Sequence, residues 1–116
     1  MNHDLSAEQV QILKTQCLQG SIVTGANVEN ALYGAGICAE RTAITRCIME
    51  GSKELQAIAI LGDSAEPISP CGICRQFIRE FAPKVPIFMF SGKNDDMVCK
   101  TLEELLPMSF GPEQLQ

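Results

Sequence analysis

Three of the six cysteines in this chain are spaced so that they could bind one metal ion. Cys71 and Cys74 are separated by two residues, so both thiols could reach one ion from the first turn of a helix. This spacing alone also occurs in redox dithiols, in structural zinc sites and by chance. Cys38 adds a third thiol at the start of a second predicted helix, where partial positive charge favours the thiolate. Three sulfur ligands without an evident fourth leave one position open to water, which is typical of a catalytic zinc site.

Glu40 follows Cys38 by two residues, in the first turn of the same predicted helix. We expect its carboxylate to lie beside the metal without being a ligand. A water activated by zinc needs such a neighbour to take its proton and to pass protons to the substrate. Zinc deaminases use this order of residues: a ligand, one residue, then Glu, and later Pro-Cys-x-x-Cys. The chain reads Cys38-Ala-Glu40 and Pro70-Cys-Gly-Ile-Cys74, which favours zinc-dependent deamination over a purely structural zinc module.

The composition argues against several other functions. The chain has 116 residues, of which 46% are apolar, and a net charge of -5 without any Lys/Arg-rich run. We therefore expect a single domain over residues 1–116 that binds neither nucleic acid nor membranes. No apolar stretch could span a bilayer and no secretory signal is recognisable, which predicts a cytoplasmic protein whose clustered cysteines bind metal. We expect the other three, Cys17, Cys47 and Cys99, to be small buried side chains.

The elements predicted around these residues form an α/β domain. A capping box at Ser6 and Gln9, followed by apolar residues at helical spacing, predicts a first helix that ends at Gly20. Further helices are predicted to begin at Cys38, at Cys71 and, with a second capping box, at Thr101. Strands are predicted at residues 21–24, 55–61 and 85–90, with a short further strand at 97–99. The alternation of strands and helices in the middle of the chain implies a largely parallel sheet.

At these residues the chain resembles the cytidine deaminase family, in its small homotetrameric form with three zinc-binding cysteines. The matching stretches are residues 24–31, 38–43, 69–77 and 104–112. The resemblance implies a three-layer α/β/α domain with a mixed, largely parallel sheet and one zinc ion per chain. It also implies deamination of cytidine and deoxycytidine to uridine and deoxyuridine, with release of ammonia, in pyrimidine salvage. The active sites of the homotetramer would lie at subunit interfaces.

The same resemblance implies a role for each matching residue. Cys38, Cys71 and Cys74 would hold zinc, and Glu40 would shuttle protons. The residues implied to contact the nucleoside are Asn27 and Glu29 at the ribose hydroxyls, the backbone of Ala39 at the base edge, Tyr33 at the sugar across an interface, and Phe110 at the base in a neighbouring subunit.

Two arginines are expected to offset the negative charge of the three thiolates. Unrelieved, this charge would keep a zinc-bound water from ionising readily, so positive groups are needed nearby. The resemblance assigns this role to Arg41 and Arg75.

The chain departs from the family between the first helix and the strand at Ser21. Family members carry an extended segment there, with a core strand and a Phe that stacks on the pyrimidine, whereas here only residues 18–20 intervene. We therefore expect the sheet to lack one core strand, which would leave backbone groups of its neighbours unpaired. The alternative function is accordingly a catalytically impaired, shortened isoform or deletion product that folds only with, or perturbs, full-length subunits.

Overall fold

The chain folds into a five-stranded sheet with helices packed on it. The computed structural model describes the backbone of residues 12–17, and residues 22–51 and 54–115 with their side chains. These ranges contain five strands: β1 (Ile12–Cys17), β2 (Ile22–Ala26), β3 (Leu55–Leu61), β4 (Pro86–Phe90) and β5 (Met97–Thr101). The α-helices are α1 (Ala39–Met49), α2 (Gly72–Phe81) and α3 (Leu102–Leu105), and short 3-10 helices cover Tyr33–Ala35 and Pro112–Leu115.

The sheet is mixed, but the prediction that it is largely parallel is wrong. Its strand order is β2-β1-β3-β4-β5, and of the pairs between these described strands only β3–β4 is parallel. The strands connected through helices, β2, β3 and β4, do run in one direction, as the alternation predicted. However, β1 lies antiparallel between β2 and β3, and β5 returns antiparallel to β4. Residues 18–21 connect β1 to β2, and residues 91–96 connect β4 to β5. Connections this short can join antiparallel strands but not parallel ones.

Residues 12–17 form a central strand, so the prediction of a helix is wrong there. Their backbone pairs with β2 on one side, from Ile12↔Ala26 to Gln16↔Ile22, and with β3 on the other. Ladder hydrogen bonds on both sides outweigh a local helical pattern, because an open position inside a sheet would leave backbone groups unpaired. The described sheet therefore has a strand where we expected one to be missing. The capping box predicted at Ser6 lies outside the described residues.

The main core lies between one face of the sheet and the helices. Ile58 and Ile60 of β3 pair in register with Ile87 and Met89 of β4, and all four side chains are buried. The connections β2–α1–β3 and β3–α2–β4 both join parallel strands and proceed in the same direction across the sheet. Because such crossovers are right-handed, α1 and α2 lie on the same face of the sheet. Both helices, together with α3, contribute side chains to this core. The α/β class is thus confirmed. The resemblance implied three layers; α1, α2 and α3, the α-helices among the described residues, all contribute to this one core. None of the described helices has the length and apolar character needed to cross a bilayer.

Helix α1 lies unusually close to β2 at Gly25. A Cβ atom at this glycine would lie 2.6 Å from the nitrogen of Ala43 and 2.9 Å from the carbonyl oxygen of Ala39. The two elements therefore meet backbone to backbone, which only glycine permits. This contact sets the depth of the first turn of α1 against the sheet, and that turn carries Cys38 and Glu40.

The isolated cysteines differ from the prediction. Cys47 is fully buried beside Val23 and Leu55, as expected, but it is disulfide-bonded. Cys99 on β5 is a free thiol and is exposed, so the expectation that it is buried is wrong.

Candidate functional site

Two helices begin at the same edge of the sheet. Strands β2 and β3 run in the same direction, and the chain leaves their carboxyl ends to enter α1 and α2, respectively. Cys38 is the N-cap of α1 and Cys71 is the N-cap of α2, and both have extended backbones. Cys74 lies in the first turn of α2. The sequence motif therefore places all three thiols at helix N-termini that meet.

The three sulfur atoms form a compact cluster. The Sγ atoms of Cys38, Cys71 and Cys74 all lie within 4.8 Å of one another, and those of Cys38 and Cys71 are 3.7 Å apart. Tetrahedral zinc, with Zn–S bonds of about 2.3 Å, requires sulfur–sulfur distances of about 3.8 Å. The cluster thus fits one zinc ion in both donor type and spacing. Cys74 is buried and Cys71 is exposed, so the cluster opens toward solvent on one side.

The two thiols of α2 have opposite electrostatic surroundings. Burial opposes ionisation of Cys71, but hydrogen bonds to the backbone and thiol of Cys74, to the thiol of Cys38 and to the backbone of Ile73 outweigh it. The pKa of Cys71 is therefore lowered. Burial and the nearby charge of Glu40 raise the pKa of Cys74 well above its ordinary value. A divalent cation between the thiols would favour both thiolates.

Glu40 lies beside this cluster and is almost completely buried. Only 1% of its surface is exposed, and its Oε1 atom has no hydrogen-bond partner among the described residues. Burial is the largest influence and raises the pKa of Glu40; a hydrogen bond with Cys74 acts in the opposite direction. A buried carboxylate oxygen without a partner is costly to a fold and calls for a functional explanation. Its position agrees with a group that exchanges protons with a ligand next to the metal.

The two arginines predicted to balance charge lie in different surroundings. The Nη2 atom of Arg41 donates to the Sγ atom of Cys38 at 3.8 Å, and this contact is the largest cause of the raised pKa of Arg41. Arg75 instead uses its guanidinium on oxygen atoms: Nε donates to the Pro70 carbonyl, Nη1 to the Leu105 carbonyl and Nη2 to Ser69 Oγ. Arg41 is thus placed against a thiol, whereas Arg75 connects α2 to two other segments, one at Ser69 and Pro70 and one at Leu105.

A cavity of about 500 Å³ opens in front of the cysteines, with Cys38, Cys71 and Arg41 in its wall. Asn27 and Glu29 also line this cavity, and Asn27 Nδ2 donates to Glu29 Oε1 at 2.8 Å. The loop that carries these two residues is held next to Cys38 by paired backbone hydrogen bonds of 2.8 and 3.0 Å between Val28 and Ile37. The fold therefore brings the polar pair and the cysteines to one cavity.

The remaining predicted contacts are distributed differently. Ala39 is fully buried at the start of α1. Tyr33 is 78% exposed and lines the cavity of its own chain, although the resemblance implied a contact across an interface. Phe110 is 56% exposed and is not part of the cavity lining. Gln76 Nε2 donates to its carbonyl at 2.9 Å, which holds this part of the C-terminal segment against α2.

Sequence reasoning missed two residues that shape this region. Ile73, between the ligand cysteines, is 65% exposed and lines the cavity. Arg79 is buried in α2, donates to Ser109 Oγ at 2.7 Å and pairs with Glu113, so it fastens the C-terminal segment. The only signal for Arg79 in the sequence is a charged residue one helical turn after Arg75.

Comparisons with known proteins agree with this geometry. Residues 10–89 match the family described as "Cytidine and deoxycytidylate deaminase zinc-binding region". A cytidine deaminase of Halalkalibacterium halodurans is 41% identical over 96 residues, which cover 83% of this chain and 73% of that protein. A probable cytidine deaminase of Dictyostelium discoideum is 43% identical over 105 residues, which cover 89% of this chain and 68% of that protein. The crystal structure of a cytidine deaminase from Burkholderia pseudomallei superposes with a TM-score of 0.85 at 32% identity, covering 92% of this chain and 86% of that one.

Proposed function

Because the chain belongs to the zinc-binding family of cytidine and deoxycytidylate deaminases, we propose that it converts cytidine and deoxycytidine to uridine and deoxyuridine and releases ammonia. The observation that carries this proposal is the carboxylate of Glu40, which is buried beside the sulfur atoms of Cys38, Cys71 and Cys74 and whose Oε1 has no partner in the described part of the chain. Carboxylate and thiols together provide what a hydrolytic deamination needs, namely an activated water and a group that moves its protons.

Zinc held by the three cysteines would supply Lewis acidity that activates the attacking water. Glu40 then moves the protons. It takes one proton from the water that adds to C4 of the base and delivers it to N3. It next takes the proton of the new C4 hydroxyl and delivers it to the amino group, so that the C4–N4 bond breaks and ammonia leaves. The raised pKa of Glu40 suits it to both accepting and donating protons.

The cavity supports a nucleoside as substrate. Its volume of about 500 Å³ lies within the usual range for small-molecule sites. The Glu29 carboxylate is a hydrogen-bond acceptor for ribose hydroxyls, and Asn27 holds it in place through Oε1. We propose these two residues as the sugar contacts, with Tyr33 at the mouth and the backbone of Ala39 at the base edge. Arg41, through its contact with Cys38, offsets the charge of the thiolates.

We further propose a cytoplasmic homotetramer, active in pyrimidine salvage, with one zinc ion per chain. Aromatic side chains are enriched in protein–protein interfaces, and Tyr33 and Phe110 are both more than half exposed. Phe110 belongs to a segment that is hydrogen-bonded to α2 through Gln76, and we propose that its exposed ring enters the cavity of a second subunit. The mass of the purified protein by light scattering tests the assembly.

The function is tested with the purified, zinc-loaded chain. Incubation with cytidine should give uridine and ammonia in equal amounts, and deoxycytidine should give deoxyuridine. A folded chain that binds zinc and releases no ammonia would refute the proposal and favour the impaired form described above. The same assay with added subunits of a full-length relative then tests whether ammonia is released only by mixed assemblies.

A further inference from the structure

Arg75 makes three directed hydrogen bonds beside the metal ligands of α2. Its Nε donates to the Pro70 carbonyl at 2.8 Å, Nη1 to the Leu105 carbonyl at 2.8 Å and Nη2 to Ser69 Oγ at 3.0 Å. Each nitrogen of the guanidinium therefore has an acceptor, and the three acceptors come from two separate segments of the chain. A planar guanidinium with all its nitrogens engaged holds its partners in one geometry.

The Pro70 carbonyl is the acceptor that matters for the metal. It belongs to the peptide group that joins Pro70 to Cys71, so fixing this oxygen fixes the backbone from which the Cys71 thiol projects. Pro70 is among the fully buried side chains, whereas Cys71 is exposed. The contacts of the Cys71 thiol are with Cys38, Ile73 and Cys74, in the cluster and the first turn of α2. The backbone at Pro70 and Cys71 therefore connects this thiol to the rest of the fold.

The Leu105 carbonyl connects the same guanidinium to the C-terminal part of the fold. Leu105 ends α3, and α3 is anchored by Leu102, which is fully buried in the main core. Arg75 thus links an exposed ligand, Cys71 at the N-cap of α2, to an element that is anchored in the core.

We propose that Arg75 is a positioning residue for the metal site: it holds the Pro70–Cys71 peptide against α3 and so sets where the Cys71 thiol meets the metal. This inference rests on the zinc site proposed above. It replaces the expectation that Arg75 balances the charge of the thiolates, a role for which Arg41 is placed in contact with Cys38. The two roles make different demands: charge balance needs only a cation, whereas positioning needs the three-pronged hydrogen-bonding geometry.

The test compares Arg75→Lys with Arg75→Gln in the zinc-loaded protein and measures the rate at which zinc passes to a chromogenic chelator. Lysine keeps the charge but cannot reproduce three planar donors. We therefore expect both variants to release zinc faster than the parent by a similar factor, about tenfold or more, the size typical of lost support behind a ligand. Arg46→Lys is the matched control, because Arg46 lies exposed on α1 and pairs with Glu50; it should release zinc at the parent rate.

Two results would overturn the proposal. Release at the parent rate from Arg75→Lys, with rapid release from Arg75→Gln, would assign a charge role instead. Parent rates in both variants would show that Cys71 needs no support from Arg75. The zinc content of the parent tests the metal site separately, since less than one zinc per chain there would count against that site and not against Arg75.

Two further measurements keep the proposal testable if the Arg75 variants fold poorly. Cobalt-substituted protein reports the geometry of the thiolates through its absorption bands, and we expect these bands to shift in Arg75→Lys but not in Arg46→Lys. Ser69→Ala removes one acceptor and leaves the arginine in place. It should speed zinc release by about twofold or more, in keeping with one lost hydrogen bond; an unchanged rate there would also contradict the proposal.

Discussion

The Sγ atoms of Cys38 and Cys71 lie 3.7 Å apart, although 33 positions separate the two residues in the chain. They meet because β2 and β3 run in the same direction, with β1 between them, and each strand leads into a helix that begins at the same edge of the sheet. The metal site therefore exists only once β1, β2 and β3 are paired. Zinc binding and folding should be coupled as a result, since a ligand that binds only the folded chain stabilises it.

The coupling of zinc to folding can be tested by ligand replacement. Cys71→Ser should reduce the zinc content of the purified chain from one per chain to well below that, because a neutral hydroxyl is a much weaker ligand than a thiolate. The melting temperature should fall with it and should no longer rise when zinc is added. Metal content is measured by mass spectrometry and melting by circular dichroism.

Cys99→Ser is the matched control for the ligand variant. Cys99 is also an exposed free thiol, but it lies on β5, outside the cluster. It should keep the zinc content and melting temperature of the parent. If both serine variants retained zinc equally well, the cluster would not be the zinc site.

Replacement of Glu40 separates proton transfer from metal binding. Glu40→Ala should bind zinc normally, because the three thiols remain, yet lose nearly all turnover; positioned proton transfer commonly accounts for a factor of about 10²–10⁴ in rate. Ammonia release gives the rate, and metal analysis gives the zinc content. Glu50→Ala, at the exposed end of the same helix, should keep the parent rate, and substantial activity in Glu40→Ala would remove this residue from the mechanism.

The parts of the fold that the sequence predicted well are those encoded locally. Strand β3 has the predicted bounds, Leu55–Leu61, because a continuous apolar run between breakers is typical of a covered strand. Helices α1 and α2 begin within one residue of their predicted starts, since the ligand cysteines that mark the motif are also the N-caps. The capping box of Thr101 and Glu104 is likewise present.

What the sequence could not predict depends on contacts between distant segments. Strand β1 carries a pattern compatible with a helix, and only its pairing with β2 and β3 selects the strand. The same limit applies to the site. Spacing predicted that the cysteines and Glu40 would lie close together. Two acceptors of Arg75, on Ser69 and Pro70, are also near it in the chain, but the third, the Leu105 carbonyl, is 30 positions away and no local pattern indicates that contact.

Because β2 and α1 are in close contact at Gly25, we expect alanine at this position to destabilise the fold, which is the opposite of the usual effect. Alanine in place of glycine within a strand ordinarily stabilises by about 0.5–1 kcal/mol. Gly25→Ala should instead lower the free energy of unfolding in urea by about 1–3 kcal/mol, because the new methyl group would meet backbone atoms of Ala39 and Ala43 that cannot move separately from α1.

Gly34→Ala provides the comparison for this variant. A Cβ atom at Gly34 would meet nothing within 4 Å, so the stability of this variant should equal or slightly exceed that of the parent. Equal stabilities for the Gly25 and Gly34 variants would show that α1 can shift away from β2 at little cost.

The capping box of α3 predicts a specific dependence of stability on pH. The backbone nitrogen of Thr101 donates to Glu104 Oε1 at 2.9 Å, and this bond is the largest cause of the lowered pKa of Glu104. A carboxyl whose pKa is lower in the folded chain adds stability at pH values above its ordinary pKa, and this stability is lost as pH falls through the lowered value. Glu104→Gln should therefore have a lower melting temperature than the parent at neutral pH, and the two melting temperatures should converge in acid.

Glu103→Gln, on the neighbouring exposed position of the same short helix, controls for the general loss of one negative charge. Melting temperatures of all three proteins across the acid range test this directly, and a Glu104→Gln deficit that persists unchanged at the lowest pH would contradict the assigned role of the carboxylate.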